Sequence, residues 1–402
     1  MSEDVLSGKK IILGVTGGIA AYKACYLLRE LVQRGAEVRV VMTPSALEFI
    51  APLTFSSLSG NKVIVNTFPS SQSNGCEINT WHIEYATWAD LMIIAPATVN
   101  TIAKIAHGFC DNALTTLVSA LRCPLIIAPA ADVDMYMNPL VQENINKLKK
   151  IGSFIVYAEE GELASGLSGK GRLAGVDKMT DAIELVLSGY KQDLTGKKIL
   201  ITAGPTYEDI DPVRFIGNRS SGKMGYALAK AGYLRGADVT LISGQSSQIC
   251  YPEIKLINVR SAEEMKRAVN KYFPLNDILI MSAAVADFKP KKYSSKKIKK
   301  EQKLNSIDLI ETGDILGSLK RDKQVVAGFA LETDNELANA KKKLSKKNLD
   351  IIVLNSLHDN KSGFEFDTNR ITILHKTGKP TRYKLMSKFQ AANKIITEII
   401  KI

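Results

Sequence analysis

The feature that most constrains the fold is a pattern of strand, glycine turn, helix and strand that occurs twice. In the first copy an apolar run within residues 8–18 ends in two glycines, apolar residues follow at helical spacing, and residues 35–43 form another run. Residues 196–204 and 236–243 repeat the two runs. A strand, a helix and a second strand form the βαβ unit of a parallel sheet. We predict two α/β domains of the Rossmann-like or flavodoxin-like kind, with ligands at the carboxyl ends of the strands.

The length and composition agree with two domains. The chain has 402 residues, enough for two sizeable cores. The polar segment 188–195 follows a predicted helix at 180–187, so we expect domains at 1–190 and 191–402. A net charge of +12 favours anionic partners such as nucleotides and phosphorylated metabolites. Neither a cysteine framework, a signal peptide nor a membrane-spanning run is recognisable, which predicts a soluble cytoplasmic protein.

A phosphate site is predicted in the stretch 201–229 of the second half. Here a strand ends at Gly204, a residue free to adopt positive φ, and residues 220–223 lead into a helix whose N–H groups can hold an anion. The spacing from Gly217 fits G-x-x-x-x-G-K, but Met224 stands where a P-loop carries its hydroxyl, so we exclude a P-loop. The alternative is that the serines of this loop only cap the helix.

In the first half, two predicted strands end in loops rich in small residues. Residues 91–97 are followed by Thr98, Asn100 and Thr101, whose side chains can fix the polar edge of a flat ring that small residues allow to approach. Residues 124–128 lead similarly into 129–136. The turn after the first strand lacks the full G-x-G-x-x-G, so a mononucleotide such as a flavin phosphate fits better than a dinucleotide.

His82 is a candidate general base. It is one of four histidines and precedes the strand 91–97. An imidazole that titrates near neutrality is the usual base in proteins, while the alternative for a histidine taken alone is a structural role.

These motifs resemble those of the bacterial bifunctional coenzyme A enzymes, in which a phosphopantothenoylcysteine decarboxylase is fused to a phosphopantothenate–cysteine ligase. The resemblance runs from about residue 9 to the C-terminus. The first half is similar to flavin-dependent cysteine decarboxylases at GVTGGIAAYK (14–23), APATVNTIAKIAHGFCDN (95–112), 129–136 and GELASGLSGKGRLA (161–174). The second half is similar to the ligase at ITAGPT (201–206), DPVRFIGNRSSGKMG (211–225), SAAVADF (282–288), KIKK (297–300), AGFALET (327–333) and KKLSKKNLD (342–350).

The resemblance implies a CTP-dependent ligation in the second half. CTP with Mg²⁺ would activate the carboxylate of 4'-phosphopantothenate as an acyl-cytidylate, and the amine of cysteine would displace CMP. Asn218 matches the residue that holds this acyl-cytidylate, Arg214 lies beside it, and Asp287 is expected to contact the cytidine or Mg²⁺. The other implied CTP contacts are Lys297, Gly313, Asp314, Ile315, Leu316, Phe329, Lys343 and Lys347. We expect the lysine-rich run 289–303 to order on the triphosphate, although residue type alone also fits a solvated loop.

For the first half, the resemblance implies an FMN-dependent decarboxylation. The flavin would oxidise the cysteinyl thiol to a thioaldehyde, which eases loss of the carboxylate, and the reduced flavin would return the electrons. His82 matches the base of the family, and residues 161–174 match a mobile flap over the substrate. The implied FMN contacts are Gly17, Gly18, Ser45, Thr98 and Asn100.

Two residues depart from the pattern of the decarboxylases. Ala131-Asp132 replaces the usual Met-Asn, and a carboxylate repels the carboxylate of the substrate unless it is protonated. Ser165 replaces the usual cysteine of the flap, and a hydroxyl is a far weaker acid than a thiol with a pKa of about 8.5. We hypothesise that Asp132 or the nearby Asp134 takes over as proton donor.

Three functions therefore compete. The first is the bifunctional enzyme, and the second is an active ligase that carries a non-catalytic FMN-binding domain. The third, a nucleic-acid-binding protein, has only the charge and the lysine run in its favour, with no recognisable motif for nucleic acid. By resemblance we expect a homo-oligomer with ligase dimers and flavin-domain trimers, together a dodecamer, with no nucleic-acid or membrane partner.

Overall fold

A computed structural model describes residues 4–68, 80–299, 306–332, 334–356 and 366–402. The chain divides into two compact units, Glu3–Lys191 and Gln192–Ile402. Across the described ranges, the helices all lack the length or the apolar character that a membrane span requires.

The first unit is built on a parallel sheet whose strands follow the order β3-β2-β1-β4-β5-β6. Its strands are β1 (Lys10–Val15), β2 (Glu37–Met42), β3 (Val63–Ile64), β4 (Leu91–Ala97), β5 (Leu125–Pro129), β6 (Phe154–Ile155) and the separate hairpin β7 (Glu159–Glu162) and β8 (Ser168–Arg172). Its helices are α1 (Ala21–Gln33), α2 (Pro52–Ser59), α3 (Trp81–Trp88), α4 (Val99–Ala106), α5 (Ala113–Ala120), α6 (Val133–Met137), α7 (Pro139–Lys150) and α8 (Val176–Leu187), with a 3₁₀ turn at Pro44–Glu48.

The predicted apolar runs form the centre of this sheet. Every residue of β4 is buried, and β1 is buried after Lys10, as expected of parallel strands covered on both faces. The buried face of α1 consists of Ala21, Ala24, Leu27, Leu28 and Leu31, at the spacing of one helix face. Because β1 lies between β2 and β4, the strand order reverses there, and the loops after β1 and β4 flank the crevice where such sheets bind ligands.

The second unit contains a larger sheet of order β13-β12-β9-β14-β17-β18-β20-β21, parallel as far as β18 and antiparallel beyond it. The strands of this sheet are β9 (Lys198–Ala203), β12 (Asp238–Ser243), β13 (Lys255–Asn258), β14 (Ile278–Met281), β17 (Val325–Glu332), β18 (Ile351–Ser356), β20 (Ile371–His375) and β21 (Thr381–Arg382). The remaining described strands form three short antiparallel pairs outside the large sheet: β10 (Tyr207–Asp209) with β11 (Phe215–Gly217), β15 (Phe288–Pro290) with β16 (Leu309–Glu311), and β19 (Thr368–Asn369) with β22 (Met386–Ser387). The helices are α9 (Lys223–Leu234), α10 (Ala262–Tyr272), α11 (Glu336–Lys346) and α12 (Lys388–Ile399), with 3₁₀ turns at Phe273–Leu275 and Leu316–Ser318.

The predicted fold class, two α/β units with parallel sheets, is confirmed. Some local expectations need correction. The polar loop predicted between Gly204 and α9 contains the β10–β11 pair, whose strands of three residues each are too short to show a periodic pattern. The helix predicted at 180–187 begins earlier, at Val176.

Candidate active sites

In the first unit, one hydroxyl joins the two loops that flank the crevice. Thr16, directly after β1, donates its hydroxyl to the carbonyl of Pro96 at 2.7 Å and accepts the N–H of Thr98 at 3.0 Å. Thr98 in turn accepts the N–H of Thr101 with its side chain and caps α4. The loop after β4 is therefore fixed against the turn after β1.

The glycine turn approaches a third loop closely. A Cβ placed on Gly17 would lie 2.6 Å from the carbonyl oxygen of Ser45, whereas one on Gly18 would meet only the methyl of Thr98, at 3.5 Å. Four of the predicted FMN contacts, Gly17, Gly18, Ser45 and Thr98, are thus neighbours, and Asn100 lies on the first turn of α4 beside them. This crevice of bare backbone, hydroxyls and one exposed amide fits a flavin mononucleotide, which needs close backbone approach and hydrogen-bond partners.

His82 lies on the first turn of α3, outside this hydrogen-bond network. Its ring packs edge-on against Trp81, with 5.9 Å between ring centroids, and the indole N–H of Trp81 donates to the carbonyl of Thr67 at 3.0 Å. Since α3 leads back to the beginning of β4, its first turn lies toward the carboxyl edge of the sheet, where the crevice is.

The two departures from the decarboxylase pattern are in direct contact. Ser165, at the tip of the β7–β8 hairpin, donates its hydroxyl to the carboxylate of Asp132, which follows β5. The hairpin also packs on this loop through backbone: the N–H of Ala131 donates to the carbonyl of Gly171 at 3.0 Å. Asp134, the alternative proton donor, is exposed on α6. The segment predicted as a flap is thus a hairpin that covers the Asp132 loop.

In the second unit, a cavity of about 1010 Å³ opens at the carboxyl ends of β14, β17 and β18. It is lined by nine of the predicted ligase residues, namely Asn218, Asp287, Gly313, Asp314, Ile315, Leu316, Phe329, Lys343 and Lys347. These residues come from five separate segments of the sequence that the fold brings to one place.

On one side of this cavity, two lysine side chains contact partners within the protein. Lys343, in the last turn of α11, donates to the carbonyl of Phe329 at 3.0 Å, and Lys347, one residue beyond the helix, forms a 2.6 Å ion pair with Asp314. Burial opposes ionisation of Asp314, but Lys347 and the N–H of Gly317 lower the pKa of this carboxyl below its usual value. The lysines are positioned for an anion that enters the cavity.

Asn218 is held in place by the loop that follows β14. Its amide donates to the carbonyls of Ala284 and Val285, at 3.1 and 3.2 Å. The N–H of Ala284 donates to the carbonyl of Gly204, which has the predicted positive φ, 73°. Asn218 is therefore tied to the loop after β14, three residues from Asp287.

Arg214 and Lys297 do not line the cavity. Arg214 pairs with Asp211 through its Nε at 3.0 Å and donates to the carbonyl of Ile298 at 2.8 Å. This guanidinium holds the pKa of Asp211 well below its usual range, with help from the N–H groups of Val213 and Ile298. Arg214 thus joins the 211–214 turn to the lysine-rich run, of which residues 300–303 lie outside the described ranges.

The loop before α9 does not cap the helix with a serine. Its N-cap is Gly222 at φ 80°, with no side-chain hydrogen bond, so the capping alternative is wrong. Sequence reasoning also missed Asn355, Asn369 and Lys388, which line the same cavity. Asn355 lies at the carboxyl end of β18, and that position was the available signal.

Comparison with known proteins shows the family. Residues 1–188 match the family model described as Flavoprotein, and residues 194–402 match the DNA/pantothenate metabolism flavoprotein C-terminal domain. The chain is 44% identical over 403 residues to the coenzyme A biosynthesis bifunctional protein CoaBC of Bacillus subtilis (strain 168), covering 98% of this chain and 97% of that protein. The chain belongs to the CoaBC family. The resemblance stated from the sequence is confirmed.

The chain is also similar to a decarboxylase and to a solved domain of a CoaBC protein. The chain is 46% identical over 366 residues to a cysteine/cysteine sulfinic acid decarboxylase from an unknown prokaryotic organism, covering 88% of this chain and 99% of that protein. The crystal structure of the C-terminal domain of a CoaBC protein is 39% identical, with a TM-score of 0.45, and the match covers 52% of this chain and 96% of that one.

Proposed function

We propose that the second unit ligates 4'-phosphopantothenate with cysteine in a reaction driven by CTP and Mg²⁺. The first unit then decarboxylates the resulting phosphopantothenoylcysteine to 4'-phosphopantetheine with FMN. The observation that carries this proposal is the 44% identity to a bifunctional CoaBC protein. The match covers 98% of this chain, so it extends over both units.

The charged side chains that line the cavity of the second unit suit the ligation. Lys343 and Lys347 can neutralise the triphosphate, and the carboxylates of Asp287 and Glu311, which also lines the cavity, offer oxygen ligands to a Mg²⁺ that CTP carries. A carboxylate needs activation because its own oxygen is a poor leaving group. Asn218, held by the loop after β14, is placed to orient the activated acyl group for attack by the amine of cysteine.

Residues of the first unit suit the decarboxylation. FMN, held by Gly17, Gly18, Ser45, Thr98 and Asn100, would supply two-electron oxidation and its reversal. We assign His82 as the base and Asp132 as the acid. The hydrogen bond that Ser165 donates to Asp132 holds this side chain beneath the hairpin, facing the loop after β5.

A partial reaction tests the ligase. Protein incubated with 4'-phosphopantothenate and CTP·Mg²⁺ should form an acyl-cytidylate and pyrophosphate, and added cysteine should release CMP. ATP and GTP in place of CTP test the nucleotide. Formation of a nucleoside diphosphate instead would contradict acyl-cytidylate chemistry.

A pair of adjacent carboxylates tests the decarboxylase. Asp132→Ala should abolish formation of 4'-phosphopantetheine from supplied phosphopantothenoylcysteine, while Asp134→Ala, a change of the same kind on exposed α6, should retain it. Unchanged turnover in Asp132→Ala rules out this assignment, and loss in Asp134→Ala alone transfers the role to that residue.

The contact between Asp132 and Ser165 also favours a second candidate, an active ligase whose flavin unit binds FMN without turnover. A closed hairpin with neither thiol nor amide lacks two groups of the family pattern. Offering phosphopantothenoylcysteine, cysteine and cysteine sulfinic acid separately distinguishes the candidates. Release of CO₂ from any one of them excludes the second candidate and identifies the substrate.

We further propose that the chain acts in the cytoplasm as a homo-oligomer, without nucleic acid or membrane. Support for assembly comes from the family resemblance and from exposed apolar side chains on and before α1, where Ile19, Tyr22 and Tyr26 are each more than half exposed. Mass measurement in solution tests the expected trimers, dimers and dodecamer. A monomer at micromolar concentration would exclude them.

A further inference from the structure

The second cavity has a pair of lysines that the proposed CTP contacts do not include. Lys223 begins α9 and Lys388 begins α12, and both line the cavity. Lys388 is only 6% exposed, and its ammonium donates to the carbonyl of Phe366. Lys223 forms a 2.7 Å ion pair with Asp367.

These charges are arranged so that an anion is favoured between them. Burial, with the nearby charge of Lys223, lowers the pKa of Lys388 to about 8, and only Asp367 acts in the opposite direction. The carboxylate of Asp367 is 88% exposed, so it offsets the positive charge of the lysines only weakly. It can therefore leave Lys223 for solvent at little cost. Asn369, whose amide lies 3.8 Å from the sulfur of Met224 on α9, is a neutral group of this part of the lining.

Backbone donors face the same part of the cavity. The first turn of α9 leaves N–H groups without partners within the helix, and its N-cap, Gly222, has no side chain over them. Two ammonium groups beside such a turn match the donors that phosphate oxygens prefer.

We propose that Lys223 and Lys388 together bind a phosphoryl group of the ligase reaction, and that Asp367 pairs with Lys223 until this group arrives. This inference rests on the proposed ligase function. The phosphoryl group belongs either to the triphosphate of CTP or to 4'-phosphopantothenate. Both are phosphate oxygens to the site, and the experiment distinguishes them.

Calorimetric titration of the full chain with each ligand, CTP·Mg²⁺ or 4'-phosphopantothenate, is the test. Lys388→Met should weaken one ligand by about 10- to 100-fold, because charge-assisted hydrogen bonds to a phosphate are lost. The ligand whose affinity falls is the one whose phosphoryl group the lysine pair binds. Lys394→Met, an exposed lysine of the same helix, should bind as the unchanged protein does. Asp367→Asn should tighten binding by about two- to fivefold, since a competing carboxylate is removed.

Proton uptake gives a readout that folding defects do not imitate. A bound phosphate raises the pKa of Lys388 from about 8 back toward its ordinary 10.5, so binding near pH 9 should take up close to one proton, and binding at pH 7 only about a tenth of one. Titrations in buffers of different ionisation enthalpy measure this uptake. Lys388→Arg should keep most of the affinity but lose the uptake, because arginine stays protonated throughout.

The possible failures are distinguishable. If the unchanged protein binds neither ligand and forms no acyl-cytidylate, the proposed ligase function is wrong. If it binds both, and Lys388→Met or Lys388→Arg leaves affinity and proton uptake unaltered, only the lysine pair is wrong.

Discussion

The two units place their crevices at the same edge of similar sheets but line them with different chemistry. In the first, the turn after β1 and its neighbours present Gly17, Ser45 and Thr98, which carry no charge. In the second, Lys343 contacts the carbonyl of Phe329 within β17, and Lys347 pairs with Asp314 just before the 3₁₀ turn that follows β16. The fold thus supplies the position, and the side chains determine the ligand.

This difference matches two kinds of occupant. A cofactor that stays through many turnovers is retained by close backbone approach and hydrogen bonds in a shaped crevice. The nucleotide that we propose for the second unit is consumed, so it must bind and its products must leave, and partly exposed cations provide long-range attraction without permanent retention. Perturbing shape should therefore affect the first unit, and perturbing charge the second.

The largest expected effect is that of Asp287→Asn. It should lower kcat/KM for ligation by about 100-fold or more, because the carboxylate proposed to bind the metal nucleotide is lost. Decarboxylation of supplied phosphopantothenoylcysteine should be unchanged, since Asp287 belongs to the other unit. Asp322→Asn, on an exposed loop of the second unit, is the matched control and should leave both rates intact.

Two adjacent glycines test shape in the first unit. Gly17→Ala forces a Cβ to within 2.6 Å of Ser45, so it should lower both the melting temperature and the FMN content. Gly18→Ala meets only ordinary contact, so it should reduce FMN affinity roughly tenfold by filling the crevice while leaving the melting temperature of the apoprotein unchanged. An unchanged Kd for FMN in Gly18→Ala would remove this crevice as the flavin site.

Salt should separate the units without any mutation. Raising ionic strength from about 0.1 M to 1 M shortens the Debye length from about 10 Å to about 3 Å. The Kd for CTP should then rise by roughly fivefold, since Lys343 and Lys347 act partly through solvent, while FMN content should stay within about twofold. Equilibrium dialysis with both ligands measures this, with sucrose as the uncharged control. An equal response of the two ligands contradicts the comparison.

The smallest expected effect concerns stability. Lys347→Met should cost less than about 1 kcal/mol at pH 7, because its ion pair with Asp314 is partly exposed. Asp314 has a lowered pKa in the folded state, so its contribution is present above the unfolded value of about 3.9 and is lost as the pH falls through the folded value. Urea unfolding should show a difference from the unchanged protein at pH 7 that becomes smaller at pH 3.

The exposed Lys341→Met on the same helix is the control for this prediction. A stability loss of several kcal/mol in Lys347→Met would mean that this lysine holds the fold together rather than a ligand.

Much of the fold was predictable because its central strands are buried on both faces. β1, β4, β9 and β14 are apolar runs that end at glycines or small residues, and such runs carry a strong local signal. The paired short strands were not predictable: β11 and β16 are mostly exposed, so their sequences lack the alternation that marks a half-buried strand.

The sites were predictable only where a family motif marked them. The nine cavity residues of the second unit came from motif resemblance, and the fold explains their convergence at strand ends. The contact between Asp132 and Ser165 was not visible, because it depends on how the β7–β8 hairpin folds over a distant loop. Lys388 was missed for a similar reason: nothing in α12 shows that its first residue meets the first residue of α9.

The measurement that tests the central claim most directly is a product assay on purified protein. It receives 4'-phosphopantothenate, cysteine, CTP and Mg²⁺, and its products are resolved by mass. The proposed function predicts 4'-phosphopantetheine, with CMP, pyrophosphate and CO₂ in equal amounts, so that both units turn over and the Asp132–Ser165 pair is a working form of the decarboxylase site. A reaction that stops at phosphopantothenoylcysteine would contradict it and would leave the first unit as a flavin-binding scaffold.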